Sequence, residues 1–280
     1  MLKFIYINKN FNILCTMGVD SLNNSEKRNF LIRTLVDESD EREYIEIPQN
    51  PEQQRQLLRA LMNVRQPKEI SKNFLDIQDE YLKEVTTQKG ITKIDTLQPI
   101  QEGLYVWQGD ITTLDCDAIV NAANSNMTGC YIPNHKCVDN FIHTYAGVQL
   151  RLECDNLIKK QGYPEPTGRA KITNAYNLPC KNVIHTVGPI VRRTLTEEHC
   201  DLLKKCYLSC LELANEKGLN SIAFSCISTG AFRFPNDIAA QIAVETVKNF
   251  MKKETTIKRV IFNVFKDIDK EIYERLLTEN

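Results

Sequence analysis

The 280-residue chain lacks an excess of either charge: 35 lysines and arginines face 36 aspartates and glutamates, a formal net charge of −1. A large electrostatic nucleic-acid footprint needs a basic surplus, so that class of partner is excluded. A small anionic ligand remains open, because backbone N–H groups can bind one in a neutral protein. No apolar run approaches the length that crosses a bilayer, so no membrane partner is expected. Internal repeats and low-complexity tracts are lacking as well. Near the start, Phe4, Ile5, Tyr6, Phe11, Ile13 and Leu14 are interrupted by Asn8, Lys9, Asn10 and Asn12. No small-residue cleavage site follows, which argues against a signal peptide. Met17 is a candidate true start, and residues 1–24 read as over-called or disordered.

What is present describes an ordinary soluble globular protein, 42% hydrophobic and 25% charged, long enough for one large and one small domain. The 10 cysteines form no regular framework, and Cys116, Cys206, Cys210 and Cys226 sit inside apolar segments. They read as buried free thiols in a reducing compartment, so a cytoplasmic location is expected.

Residues 1–98 are read as a helical extension. The spacing predicts a short helix over 26–37 and another from Pro51, with Asn50 as its cap and Pro51 in its first turn. A further short helix or turn is expected over 70–81. From Leu104 the pattern changes to alternating strands and helices. Strands are expected over 104–108, 118–123, 170–175, 183–187, 221–226 and 259–265, and helices over 138–160, 197–217, 237–253 and 267–278. Residues 99–280 are therefore expected to form a mixed or parallel sheet with helices on both faces. Ligands in such sheets bind beyond the carboxyl ends of the strands, which directs attention to the loops there.

One of those loops carries Cys130, His135 and Cys137 within eight consecutive positions, directly after Asn121-Ala122-Ala123-Asn124. Two thiols and an imidazole this close suit a zinc ion, and an obvious fourth protein ligand is missing. Three ligands and an open position describe a catalytic metal better than a structural one. Cys154 and His143 on the following helix are the alternative source of a fourth ligand. Asp139 stands in the first turn of that helix, where the dipole would stabilise its carboxylate or where it would simply cap.

Four strings extend this reading. Gly109-Asp110-Ile111-Thr112, Asn121-Ala122-Ala123-Asn124, Ile184-His185-Thr186-Val187-Gly188-Pro189 and Ser228-Thr229-Gly230-Ala231-Phe232-Arg233-Phe234-Pro235 occur in macrodomain order. The chain resembles a macrodomain, an ADP-ribose-recognising module, from about Leu104 to Leu277. That implies a three-layer α/β/α fold with a central mixed sheet, here preceded by a small helical lobe. Cys130, His135 and Cys137 replace most of the glycine-rich loop of familiar hydrolase macrodomains, and Asp139 keeps its place. This resembles the zinc-dependent microbial macrodomains that remove mono-ADP-ribose from proteins. Their helical extension also resembles this chain, especially at Leu57-Leu58-Arg59-Ala60-Leu61-Met62-Asn63-Val64-Arg65.

The resemblance implies hydrolysis of the linkage between ADP-ribose and an acidic side chain, with an ADP-ribosylated protein as substrate and a monomeric enzyme. Some members are similar to partners of a sirtuin-like transferase acting on a lipoyl-carrier protein. Zinc would act as a Lewis acid on the distal ribose or on a water. Asn124 and Asp139 are the catalytic candidates: Asn124 would fix ribose hydroxyls, because an amide both donates and accepts, and Asp139 would orient water or hold a ribose hydroxyl, while Asn121 would support the loop or join the ligand contacts. Asp110 would accept from the adenine amine and Ile111 would offer its amide to phosphate. Ser228, Thr229, Gly230, Ala231 and Phe232 would form a second phosphate loop, with Phe232 along a ribose. Phe265 would cover the adenine. Attack at the anomeric carbon and attack at an ester carbonyl both stay open. So do two other functions, a non-catalytic ADP-ribose reader and an O-acetyl-ADP-ribose deacetylase.

Overall fold

The computed structural model describes residues 22–40 and 42–279. The expectations for Met1 to Met17 lie outside the described residues. Among the described residues three α-helices precede the sheet: α1 (Asn24–Asp37), α2 (Pro51–Val64) and α3 (Lys72–Lys89). Asn50 caps α2 through its side-chain oxygen, which accepts from the amides of Glu52 and Gln53, with Pro51 at the first helical position as expected. The element expected over 70–81 is longer, because Ser71 caps it and its apolar face continues through Tyr81 and Leu82. Phe30, Leu31, Ile32, Leu58, Leu61, Phe74, Ile77 and Leu82 bury one another in a core of their own.

The remaining elements are β1 (Thr92–Lys93), β2 (Leu104–Gln108), β3 (Leu114–Asp115), β4 (Ala118–Ala123), α4 (Val138–Ala146), α5 (Val148–Gln161), β5 (Ala170–Asn174), β6 (Asn182–Val187), α6 (Glu197–Glu216), β7 (Ser221–Phe224), α7 (Asn236–Met251), β8 (Arg259–Val264) and α8 (Asp267–Thr278). β1 and β3 make a small parallel pair. Among the described residues the main sheet has six strands in the order β2-β8-β7-β4-β6-β5. Each neighbour pair is parallel except β5 with β6, so the sheet is mixed.

Alternation along the strands divides the core. Val120, Phe224 and Phe262 face α6, α7 and α8, packing with Tyr207, Ala243 and Tyr273. Their neighbours Ile119, Ala223 and Ile261 face α4 and α5, packing with Ile142 and Leu150. Side chains of opposite parity along a strand point to opposite faces, and strands covered on both faces read as continuous apolar runs. This is the three-layer α/β/α arrangement.

The expected helix over 138–160 is corrected: it is two helices that break at Gly147. The apolar spacing runs across the break and hides it. Gly147 has φ 99° and ψ 173°, a conformation open to glycine and closed to side chains. A Cβ there would lie 2.6 Å from Gln78 Nε2. The break exposes the first amides of α5, and the amide of Val148 donates to Gln78 Oε1 of α3 at 3.0 Å. Among the described residues no helix is long and apolar enough to cross a membrane.

Gly147→Ala is expected to destabilise the protein by about 1–3 kcal/mol. Urea unfolding monitored by circular dichroism checks this, and an unchanged midpoint would contradict the role given to the break.

Candidate active site

Five parallel strands end at one edge of the sheet. The loops following β2, β4, β6, β7 and β8 carry the candidate residues, so the topology brings together segments far apart in the chain.

The loop after β4 holds the metal candidates. One ligand atom each from Cys130, His135 and Cys137 lies within 4.8 Å of the others, and all three residues are half-buried. Cys130 Sγ stands 3.5 Å from His135 Nδ1. Tetrahedral zinc bonds of about 2.3 Å to sulfur and about 2.0–2.1 Å to nitrogen put those atoms about 3.6 Å apart. The donor set and its spacing therefore fit a zinc ion. Burial pushes the Cys137 thiol up to about 12, and the adjacent Cys130 adds to this.

His143 and Cys154 join a separate group rather than this one. With His185 they form a fully buried cluster beneath the loop. Asn121, wholly buried on β4, donates through Nδ2 to Asp139 Oδ1 at 2.8 Å and faces His185 Nδ1 at 3.2 Å. An amide nitrogen only donates, so His185 Nδ1 accepts and its proton sits on Nε2, which is 3.0 Å from Thr173 Oγ1. Burial pushes His185 down to about 3 and His143 well below its ordinary value, which keeps both rings neutral. Asp139 is 6% exposed. Burial pushes its carboxyl up to about 6, against the hydrogen bond from Asn121 and the charge of Arg151. Asp139 does not cap α4, whose N-cap is Cys137 and has no side-chain bond. Asn121 thus sits within the strand and holds Asp139.

Asn124 folds back on its own loop. Its Nδ2 donates to the Gly129 carbonyl at 2.9 Å and its Oδ1 accepts from the Asn126 amide at 3.0 Å. One amide hydrogen and one lone pair stay free. Asp110 Oδ1 accepts from the Thr112 amide and hydroxyl, while Oδ2 pairs with Lys89 at 2.8 Å. Burial would raise this carboxyl, but the bonds from Lys89 and Thr112 outweigh it and set it below its usual range. Ile111 follows in the turn Ile111–Thr113 and is buried.

The loop after β7 is bent sharply. Ser228 has φ +66° and Arg233 φ +59°. Ser228 is buried with its hydroxyl unpartnered. The loop after β6 presses against it: a Cβ on Gly188 would fall 2.1 Å from Ser228 Oγ. Thr229 bonds to the Cys226 carbonyl, Gly230 and Ala231 are exposed, and Phe232 is half-buried. Phe265, just past β8, is 80% exposed.

The helical lobe contributes residues that the sequence reading did not single out. Lys89 of α3 reaches Asp110 and lies 3.3 Å from the centre of the Tyr145 ring. Arg59 and Asn63 of α2 bond to the loop of metal candidates. Arg151 of α5 donates to the carbonyls of Met62, Asn63 and Arg65, closing the carboxyl end of α2, and stacks 4.3 Å from the Tyr131 ring. The one available signal was spacing. Arg59 and Asn63 are four apart, hence on one helix face, and sit in the quoted string around Leu57.

A model of the family described as Macro domain matches residues 120–243. A Treponema medium protein named "Protein-ADP-ribose hydrolase" is 53% identical over 257 residues, 90% of this chain and 98% of that one. A protein of the same name from Staphylococcus aureus (strain MRSA252) is 48% identical over 253 residues, 90% of this chain and 95% of that one. The crystal structure of a Trypanosoma brucei macrodomain in complex with ADP-ribose aligns with a TM-score of 0.60 at 28% identity, covering 81% of this chain and 96% of that one.

Asn121→Ala removes the bond to Asp139 and leaves a buried carboxyl oxygen unpaired. It is expected to cost about 1–3 kcal/mol of stability. Denaturant titration measures this, and a loss near zero would mean that Asp139 does not depend on the amide.

Proposed function

This chain belongs to the macrodomain family, and from that premise we propose that it is a zinc-dependent hydrolase removing mono-ADP-ribose from modified acidic side chains of proteins. The observation that carries the reading is the convergence of Cys130, His135 and Cys137, next to Asp139, at the sheet edge where the candidate ADP-ribose contacts also gather. The relatives named as protein-ADP-ribose hydrolases support the reaction class. The bound nucleotide of the trypanosomal structure supports the ligand.

ADP-ribose would lie across the loops as follows. The adenine amine donates to Asp110, whose orientation Thr112 and Lys89 already fix. The exposed Phe265 ring supplies a flat apolar face for the base. The diphosphate meets the amide of Ile111 and those of Ser228, Thr229, Gly230 and Ala231, in a loop whose positive φ at Ser228 turns the backbone toward it. α7 begins just beyond at Asn236, and its amino end favours negative charge. Phe232 packs along a ribose. The remaining hydrogen and lone pair of the Asn124 amide hold a hydroxyl of the distal ribose. Asp139 uses Oδ1 for Asn121, so Oδ2 is left to accept from a ribose hydroxyl or an attacking water.

Zinc held by Cys130, His135 and Cys137 would supply Lewis acidity at the distal ribose when bound. The chain's own part is to hold that sugar against the metal loop and to keep the surrounding polar groups fixed. A lipoyl-carrier protein modified by a sirtuin-like transferase is the candidate substrate on the resemblance alone. A cytoplasmic location is supported by unpaired cysteines, which suit a reducing compartment.

Cys137→Ala is expected to lose zinc and hydrolysis while keeping a cooperatively folded protein. Metal analysis, thermal unfolding and release of ADP-ribose from aspartate- or glutamate-modified protein measure these three properties. Parallel loss of the fold would make the metal structural. Zinc-loaded wild type that binds ADP-ribose yet releases none from modified protein would be a reader. Turnover of O-acetyl-ADP-ribose alone would make it a deacetylase. Asp110→Ala is expected to weaken ADP-ribose binding about tenfold or more by calorimetry. Unchanged affinity would remove Asp110 from the binding set.

A further inference from the structure

The metal loop is gripped at its ligands by a helix that precedes the sheet in the chain. Arg59 Nη2 donates to the main-chain carbonyl of His135 at 2.6 Å, and Arg59 Nε and Nη2 donate to Asn140 Oδ1 at 3.2 and 2.7 Å. Asn140 Nδ2 donates in turn to the carbonyls of Ile132 at 3.1 Å and Cys130 at 3.4 Å. One helical turn from Arg59, Asn63 Oδ1 accepts from the amide of Asn134 at 3.0 Å, and its Nδ2 donates to Thr144 Oγ1 at 3.0 Å. Asn134 is the residue before the histidine and stands at φ +54°. The backbone is therefore held on both sides of the His135 side chain, by an acceptor before it and a donor after it.

Arg59 is itself fixed. Its guanidinium carbon lies 4.1 Å from the centre of the Phe141 ring, and Phe141 stacks on Tyr145 with ring centroids 6.4 Å apart. A planar fork that meets one carbonyl and one amide oxygen at once sets direction as well as distance, which a lysine cannot copy.

We propose that Arg59 and Asn63 are positioning residues of the metal centre: α2 sets the orientation of His135, so the helical lobe is a working part of the site. This rests on the zinc reading above. Groups that orient metal ligands typically affect metal affinity by about 10–100-fold when removed. The irregular stretch around His135 has no helix or strand to do that work instead.

The test uses the full chain. Wild type, Arg59→Met, Arg59→Lys and Asn63→Ala are compared for zinc affinity by chelator competition, and for the absorption spectrum of the cobalt-substituted protein. ADP-ribose affinity and kcat at low and high zinc complete the comparison. Arg59→Met and Asn63→Ala are expected to weaken zinc about 10–100-fold and to alter the cobalt bands. At saturating zinc ADP-ribose affinity should stay unchanged and kcat should return, which a damaged fold would not do. If Arg59→Met does not fold, Arg59→Lys, which keeps the apolar stem and the charge, decides by the same readouts. Folded variants with wild-type zinc affinity and wild-type cobalt bands overturn the proposal while leaving the zinc reading intact. Wild type without measurable zinc affinity overturns both.

Discussion

The stretch between Cys130 and Cys137 contains no helix or strand, and apart from one turn bond, from the His135 amide to the Ile132 carbonyl at 3.2 Å, its backbone polar groups are met from outside. Asn140 of α4 takes the carbonyls of Cys130 and Ile132, Asn63 of α2 takes the amide of Asn134, and Arg59 takes the carbonyl of His135. Partly buried main-chain groups without partners would cost about as much as lost hydrogen bonds. This requirement ties α2, α4 and the loop into one arrangement. Arg151 adds to it by closing the carboxyl end of α2 and stacking on Tyr131. The convergence of two thiols and an imidazole follows from how the loop is held.

A second constraint works beneath the loop. The strand pairing sets Asn121 opposite His185, and both are wholly buried. With the neutral His185 ring accepting from its amide, Asn121 points its donor at Asp139. The apolar layers on both faces of the sheet exclude water from this network, and low dielectric strengthens its bonds while making each unpaired group costly. The carboxylate and the Cys130–Cys137 loop thus meet at one place for different reasons: the sheet positions the first and the helical lobe steadies the second.

Much of the architecture was legible because its signals are local. β2 and β4 run as expected, since an apolar run bounded by turn residues has few other readings. The cap at Asn50 acts over three or four residues. The break at Gly147 was not legible, because apolar spacing continues across it and the compensating group, Gln78, lies 70 residues before its partner Val148. In the site, eight residues of sequence hold all three metal candidates, so their grouping could be read directly. The parts played by Arg59, Asn63 and Lys89 could not, since their partners lie 76, 71 and 21 residues away. Asn124 and Asp110 carry a further lesson. The resemblance implies ligand-binding groups, and each already spends part of its bonding capacity on its own turn.

The central claim is that one open metal site and the ADP-ribose cleft are a single structure. X-ray absorption at the zinc edge, on protein purified without added metal and again after saturation with ADP-ribose, tests it most directly. The account predicts a first shell with two sulfurs at about 2.3 Å and one imidazole nitrogen at about 2.0–2.1 Å, whose light-atom contribution changes when the nucleotide arrives. A closed shell of four protein ligands that ignores ADP-ribose, or the absence of zinc, would contradict it.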